Sequence, residues 1–472
     1  MLHLASPAAV EADKKIEDRR WLAVGGVLAG TCLGVALQLS NGILVPRGHP
    51  LDYLSLVGLT LVAVALALTG GAAVMPRPAR LARVDARVVP LLGLAALGIH
   101  LGYLYTWLPA IYLRLDARGL VPFQSGVAVV ALVCASTPWS RRRWARPLQI
   151  VALVTAHAAL GVWIIQHSPK PAIDVHLFQR YAIDALRSGV DPYAITFPDI
   201  YQGRVYYGSG LSVDGRLQFG YPYFPFTLLL SMPGQILFKD PRFAQLIAIE
   251  LAALLMTFAR PKGLGLIAAA LYLTTPRIFF VLEQSWTEPF LVLAVSALVF
   301  AGCRRSRLTP WLFGAFIALK QYLVLALPAA WLLLEAPRDS RRLLALLSKA
   351  AIVGAVLTLP FFLWNPAAFW RSVVTLQFHQ PFRPDALSVL SWWASRGNEP
   401  PSALISFVVA AAASIVALWR LPRTPAGFAM AIAITFFGFF AFNKQAFANY
   451  YFFVVGALYA TVAAWRPPEA GE

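Results

Sequence analysis

Asp174 is the residue in this sequence best placed to move a proton. It follows Pro171-Ala172-Ile173 and opens a run in which Val175, Phe178, Ala182 and Ala185 share one helical face, while His176, Arg180, Asp184 and Arg187 share another. That run predicts a helix lying on a membrane surface, terminated by Gly189 and Pro192. An aspartate there has two compatible roles. It can satisfy free amides as a helix N-cap; at the lip of a bilayer beside a cavity, its pKa can also rise enough to accept a proton from a hydroxyl. Aromatics crowd the residues that follow: Tyr193, Tyr201, Tyr206, Tyr207, Tyr221, Tyr223 and Phe224. At this level they are interfacial belt residues by default, and their faces also suit sugar rings.

A second group of polar residues is scattered through apolar sequence: Glu283, Gln284, Trp286, Glu288, Lys320, Gln321, Gln377, His379, Arg383, Lys444, Gln445 and Asn449. Ionisable residues at membrane depth are functional candidates by default. Lys320 and Glu288 stand out because apolar residues flank both. Either they form a structural ion pair or they touch substrate directly. Glu250, inside the apolar run 246–258, is suited to hydrogen-bonding a neighbouring helix.

The elements that must position these residues are membrane helices. Of 472 residues, 59% are hydrophobic and 13% charged, and the mean hydropathy is +0.65; a water-soluble globule would not sustain this. Apolar stretches of roughly 20 residues, the length a bilayer core requires, recur from Trp21 almost to the C-terminus. The net charge of +18 comes from Lys and Arg clusters between those stretches, a pattern of membrane orientation rather than of nucleic-acid binding. Cys32, Cys134 and Cys303 show neither metal-ligand spacing nor a disulfide framework.

Short basic loops stay cytoplasmic, which numbers the spans. The N-terminal head, the cluster Arg77, Arg80, Arg83 and Arg87, and the cluster Arg141, Arg142, Arg143 and Arg146 bracket apolar stretches at 21–40, 53–74, 88–112, 120–138 and 147–166. Five crossings put the polar segment 167–221 outside. Downstream stretches lie at 222–238, 243–259, 309–335, 347–364, 404–418, 425–442 and 449–465. Parity requires 222–238 to be re-entrant, and Pro222, Pro225 and Pro233-Gly234 break its helix; broken backbone at that depth implies a surrounding cavity. Lys320-Gln321 divides 309–335 into two short helices meeting at an outward-facing turn.

The expectation is therefore an all-α polytopic protein of about 14 transmembrane helices, within 12 to 16. Both termini are cytoplasmic. Residues 1–20 are a tail, 21–145 a four-helix membrane module, 146–465 the main membrane domain with outer loop 167–221, and 466–472 a second tail. Only the two tails read as disordered.

Several pieces occur in a telling order: Ile173-Asp174-Val175; Ala185-Leu186 through Gly189 to Asp191-Pro192-Tyr193; Tyr221-Pro222-Tyr223-Phe224-Pro225; and Asp240-Pro241-Arg242. Further along come Gln284-Ser285-Trp286-Thr287-Glu288-Pro289, Leu319-Lys320-Gln321 and Asn443-Lys444-Gln445. With these, residues 147–465 resemble the GT-C integral-membrane glycosyltransferases, most closely family 87, the polyprenyl-phosphate-mannose-dependent mannosyltransferases. The resemblance implies a catalytic base at Asp174, a lipid-linked donor arriving laterally from the bilayer, and a bacterial inner-membrane enzyme whose site faces the periplasm. The acceptor would be a glycan or glycolipid, the sugar mannose or, next, arabinose. On this reading Lys320, His379, Arg383 and Lys444 are candidates for the donor phosphate. Tyr207, Gln284, Glu288, Gln321 and Gln445 are candidates for sugar or acceptor hydroxyls.

Two features depart from the family pattern. Four extra spans precede the acidic loop, and no Asp-Asp or Asp-x-Asp pair stands near Asp174, which favours metal-independent transfer without a cofactor. Two rivals share much of the sequence logic. A transporter or flippase for a lipid-linked or anionic substrate would show the same hydrophobicity and broken helix, without needing an acidic residue at the start of an outer helix. A glycan polymerase or ligase using a diphosphate-linked donor would lean on outward Arg and His.

Overall fold

A computed structural model of the chain describes residues 7–39, 88–136, 145–202, 206–261, 263–334 and 339–465, with side chains described from Trp21 onward. The expected span 53–74, the clusters at 77–87 and 141–143, Lys262, Arg338 and the tail 466–472 lie outside the described residues. Most of the rest is helical.

The first described element is α1 (Pro7–Leu39), which continues N-terminally past the expected span, so residues 7–20 are helical where the sequence suggests a disordered tail. There follow α2 (Val88–Thr106), α3 (Val121–Ser136), α4 (Ala145–His167) and the amphipathic α5 (Asp174–Arg187). The α2 helix stops six residues short of the expected end at 112, because Pro109 disfavours helical backbone in the residue before it. The second half of segment 167–221 is not helical: Phe197–Pro198 (β1), Ser212–Val213 (β2) and Arg216–Leu217 (β3) form a small antiparallel sheet in the order β1-β3-β2.

Then come α6 (Pro225–Phe238), α7 (Arg242–Thr257), α8 (Gly265–Leu273), α9 (Ile278–Glu283), α10 (Glu288–Cys303) and α11 (Thr309–Ile317). The break expected at Lys320-Gln321 is present. Lys320 is extended, at φ −148° and ψ 152°, the following Gln321–Leu333 is a 3-10 helix, and Lys320 is buried. After α12 (Ser340–Trp364) come α13 (Pro366–Trp370), a π turn at Arg371–Thr375, α14 (Leu376–His379), α15 (Val389–Ser395), α16 (Leu404–Arg420), α17 (Pro425–Ala441) and α18 (Ala448–Ala463).

Four of the described helices are long and apolar enough to cross a membrane: Trp21–Gln38 within α1, Val88–Thr106, Ala145–His167 and Ser340–Trp364. The others are shorter, since Pro276 and Arg277, Lys320 and the prolines of 222–233 interrupt the apolar sequence. At 1.5 Å per residue the 14 residues of α6 reach about 21 Å, short of the ~30 Å hydrocarbon core.

Two apolar cores organise the molecule. The larger joins α1–α4 to α7, α8, α10, α17 and α18, so the N-terminal helices share one interior with the rest. The smaller belongs to segment 167–221. Phe178, Ala182 and Ile183 of α5 pack with Tyr193, Phe197, Leu217, Phe219 and Tyr221, and with Phe361, Phe369, Val373 and Leu376 from α12 to α14. Tyr193 and Tyr221 are therefore core residues rather than a sugar platform. This core seats α5 and so fixes where Asp174 stands.

Candidate active site

The N-cap of α5 is Ile173, not Asp174. Asp174 is the first helical residue, and its carboxylate is held from two sides: Oδ1 accepts the Val175 N–H at 2.8 Å, and Oδ2 accepts the Tyr207 hydroxyl at 2.8 Å. Its own N–H donates to the Tyr201 hydroxyl at 3.3 Å. The expected polar face of α5 loses one member, because His176 is buried, where burial lowers its pKa to about 4. Gln179, fully buried, donates to the Ser285 carbonyl at 2.6 Å and so ties α5 to the turn between α9 and α10.

That turn is unusual. Ser285 has φ +57°, a left-handed conformation rare outside glycine, and its carbonyl also accepts from Gln245 at 2.9 Å. The bend brings both Gln284 and Trp286 to the wall of a cavity of about 330 Å³. Asp174, Tyr201, Tyr206, Tyr207, Tyr223, Lys320, Arg383, Gln445 and Tyr450 line the same cavity. Residues from across the sequence thus meet around one carboxylate.

Burial pushes the Asp174 carboxyl above the ordinary aspartate range; the hydrogen bonds from Tyr207 and Val175 and the Arg383 charge pull it back only part of the way. Burial likewise raises Tyr207, reinforced by the Asp174 charge beside it, so Tyr207 remains a donor.

The two cations of the cavity wall are both paired. Lys320 Nζ donates to Glu288 Oε1 at 2.5 Å and lies 4.9 Å from the Tyr223 ring centre. The Arg383 guanidinium meets Asp385 through two bonds, at 2.8 and 2.7 Å, and stacks 4.2 Å over Tyr206. Burial works against the Arg383 charge, but Asp385 outweighs it and holds the guanidinium above its ordinary pKa.

Four other candidates fall elsewhere. Glu288 is fully buried behind Lys320, the structural pair being what its sequence position also allowed. Gln321 spends its amide on the Pro222 and Val373 carbonyls at 2.8 and 3.1 Å. His379 is exposed on α14 and bonds the Thr375 carbonyl. Lys444, whose pKa burial lowers, reaches the Gln380 carbonyl at 2.5 Å and does not line the cavity. Gln445 lines it while donating to Gln380 and Pro381, both at 3.0 Å.

Sequence reasoning missed Asp385, Gln380, Tyr450 and the pair Ile111-Tyr112, all on the wall. Only Asp385, two residues from Arg383, carried a signal, as a bidentate partner in reach of a guanidinium. Glu250 does bond a neighbouring helix, at 2.5 Å from His157 Nδ1. Among the described residues no three His, Cys, Asp or Glu side chains gather to hold a metal ion. No protein-family model, curated protein or solved structure matches the chain.

Proposed function

We propose that the chain is an integral-membrane glycosyltransferase that moves a sugar from a polyprenyl-phosphate donor to an extracytoplasmic glycan or glycolipid acceptor, with Asp174 as general base. The observation carrying this reading is the half-buried Asp174 carboxylate, raised in pKa and oriented by Tyr207, facing a cavity whose other walls supply Lys320 and Arg383. A polyprenyl phosphate is already a competent leaving group, so the protein needs only a base for the acceptor and cations for the departing charge.

In the step proposed, Asp174 takes the proton of an acceptor hydroxyl as its oxygen bonds to the anomeric carbon. The bond from that carbon to the phosphate oxygen breaks on the opposite face, and the electron pair leaves with the phosphate beside Lys320 and Arg383. A single displacement inverts the anomeric centre. Gln284 and Gln445 are placed to hold sugar or acceptor hydroxyls. Mannose, then arabinose, is favoured on the resemblance to family 87.

Membrane embedding is supported by α12, where Leu344, Ile352, Val356, Leu359 and Leu363 are all exposed along one apolar helix that only lipid would solvate. The proposed topology keeps about 14 spans, cytoplasmic termini, re-entry at α6 and a site facing the periplasm of a bacterial inner membrane. Against a diphosphate donor stands the charge of the wall: each of its two cations is already paired with its own carboxylate, which suits one phosphate better than two.

The test is transfer of labelled sugar from a panel of polyprenyl-phosphate sugars, comparing membranes with the wild type and Asp174→Asn. Asn keeps one of the two acceptor oxygens now shared between Tyr207 and Val175, and loses the base. Transfer is expected to fall by roughly 10²–10⁴-fold with the protein still folded. Equal transfer by both would remove Asp174 from the chemistry.

A further inference from the structure

Residues 107–120, between α2 and α3, leave the helix for an irregular path fixed at several points. Glu283, fully buried at the end of α9, accepts the Ile111 N–H on one carboxylate oxygen at 2.8 Å and the Tyr112 N–H on the other at 2.9 Å. The Tyr112 hydroxyl donates to the Ala172 carbonyl at 3.1 Å, two residues before Asp174. The Arg114 N–H donates to the His167 carbonyl at 2.7 Å. Gln284, from the cavity wall, adds a bond to Glu283 at 3.1 Å. Bonds from backbone N–H to an ionised carboxylate are among the stronger hydrogen bonds. Ile111 and Tyr112 line the cavity, so one carboxylate fastens the N-terminal helices to the proposed site.

Exposed apolar side chains gather in the first part of this segment, with the ion pair Asp116–Arg118 exposed beyond them. Trp107, Leu108, Ile111 and Leu115 are 42%, 55%, 48% and 42% exposed, and the exposed Arg114 stands among them. Ile111 is exposed and also lines the cavity that holds Lys320 and Arg383, so the apolar side of the segment reaches the cavity wall. Apolar surface outside and cations inside match one ligand chemistry: an anionic amphiphile with its chain along that apolar side and its phosphate within.

We propose that segment 107–120 is a substrate-binding wall, positioned by Glu283, that receives the hydrocarbon chain next to the phosphate of a lipid-linked substrate. The proposal rests on the reading above for the nature of that substrate. It assigns the N-terminal helices a part in binding, with Glu283 as a positioning residue that touches no reacting atom.

The test measures binding without turnover, using the full chain in phospholipid nanodiscs with radiolabelled polyprenyl monophosphate as probe. A photoreactive benzophenone amino acid replaces Ile111 in one protein and, as control, Leu359 on the exposed face of α12 in another. Labelling at Ile111 is expected to exceed that at Leu359 and to be competed by unlabelled polyprenyl phosphate but not by phosphatidylglycerol. Adding Glu283→Gln, which leaves one acceptor oxygen for two amides, is expected to cut the Ile111 labelling about tenfold, ~1.4 kcal/mol, with unchanged elution on size exclusion. Equal labelling at the two positions, labelling competed by phosphatidylglycerol, or no effect of Glu283→Gln would overturn the proposal. Sugar transfer assayed in parallel separates the two readings: specific labelling without transfer would sink the glycosyltransferase and leave the lipid-binding wall standing.

Discussion

Asp174 and Tyr207 act as one unit, and the direction of their coupling gives a measurable pH effect. The Tyr207 hydrogen bond favours the charged carboxylate, while burial disfavours it and wins. As the proposed base, Asp174 must be ionised to act, so on that proposal the acidic limb of the rate profile belongs above the ordinary aspartate value near pH 4. Removing the donor with Tyr207→Phe lets burial act with less opposition, and the Asp174 pKa rises further. The acidic limb of kcat/KM is expected to move to higher pH, with a loss of about tenfold below the limb, since a hydrogen bond to a charged group contributes roughly 1.5–3 kcal/mol. An unmoved limb would mean that Asp174 does not set the profile. The same carboxyl has a stability consequence of opposite sense. The folded state holds its proton to higher pH than the unfolded chain does, so its contribution is fullest below the unfolded pKa and is lost as pH rises through the raised folded value.

At the scale of elements, the cavity depends on three breaks in helix: the left-handed Ser285, the extended Lys320 and the end of α2 before Pro109. The interruption at Lys320 was legible in the sequence because a lysine and a glutamine divide an apolar stretch, and so was the end of α5 at Gly189, which has φ +73°. Ser285 gave no such signal, since serine carries no preference for left-handed backbone. Parity along the sequence grouped the polar residues on one side, yet it could not separate those facing the cavity, such as Arg383, from those spent on nearby carbonyls, such as Lys444. That distinction rests on rotamers and close packing, which periodicity does not encode. The placement of Lys320 depends in turn on how closely α11 approaches α12. A Cβ at Gly314 would lie 2.4 Å from the Ala350 carbonyl oxygen and 2.7 Å from its Cα, both backbone atoms unable to move alone. Gly314→Val is expected to push the two helices apart at about 1–3 kcal/mol and to lower the unfolding temperature in detergent. Unchanged thermal unfolding would show that the contact is looser than it stands.

The molecule as a whole is not a catalytic unit with an appended N-terminal module. Gly30 of α1 leaves room for the Tyr459 ring, since a Cβ there would come within 2.6 Å of it, and a Cβ at Gly26 would lie 2.9 Å from the Leu458 carbonyl oxygen. His100 of α2 sits within 3.3 Å of the Tyr459 hydroxyl and 3.4 Å of Thr274. In a bilayer, small residues that let helices approach and polar groups that bond across them are what holds helices together, because lipid supplies no hydrophobic drive between them. Residues of α1 and α2 and of α18 therefore complete each other's packing, and the clamp at Glu283 extends that union to the cavity. Expressed together as separate chains, residues 1–144 and 145–472 are expected to co-purify as one particle, because the contacts between them do not need a peptide link. The longer piece alone would leave the α8 and α18 faces uncovered, and it is expected to aggregate in detergent and to lose lipid binding together with any transfer. A monodisperse, active 145–472 fragment would instead mean that the N-terminal helices are dispensable, and the wall they contribute would have to be reassigned to the bilayer itself.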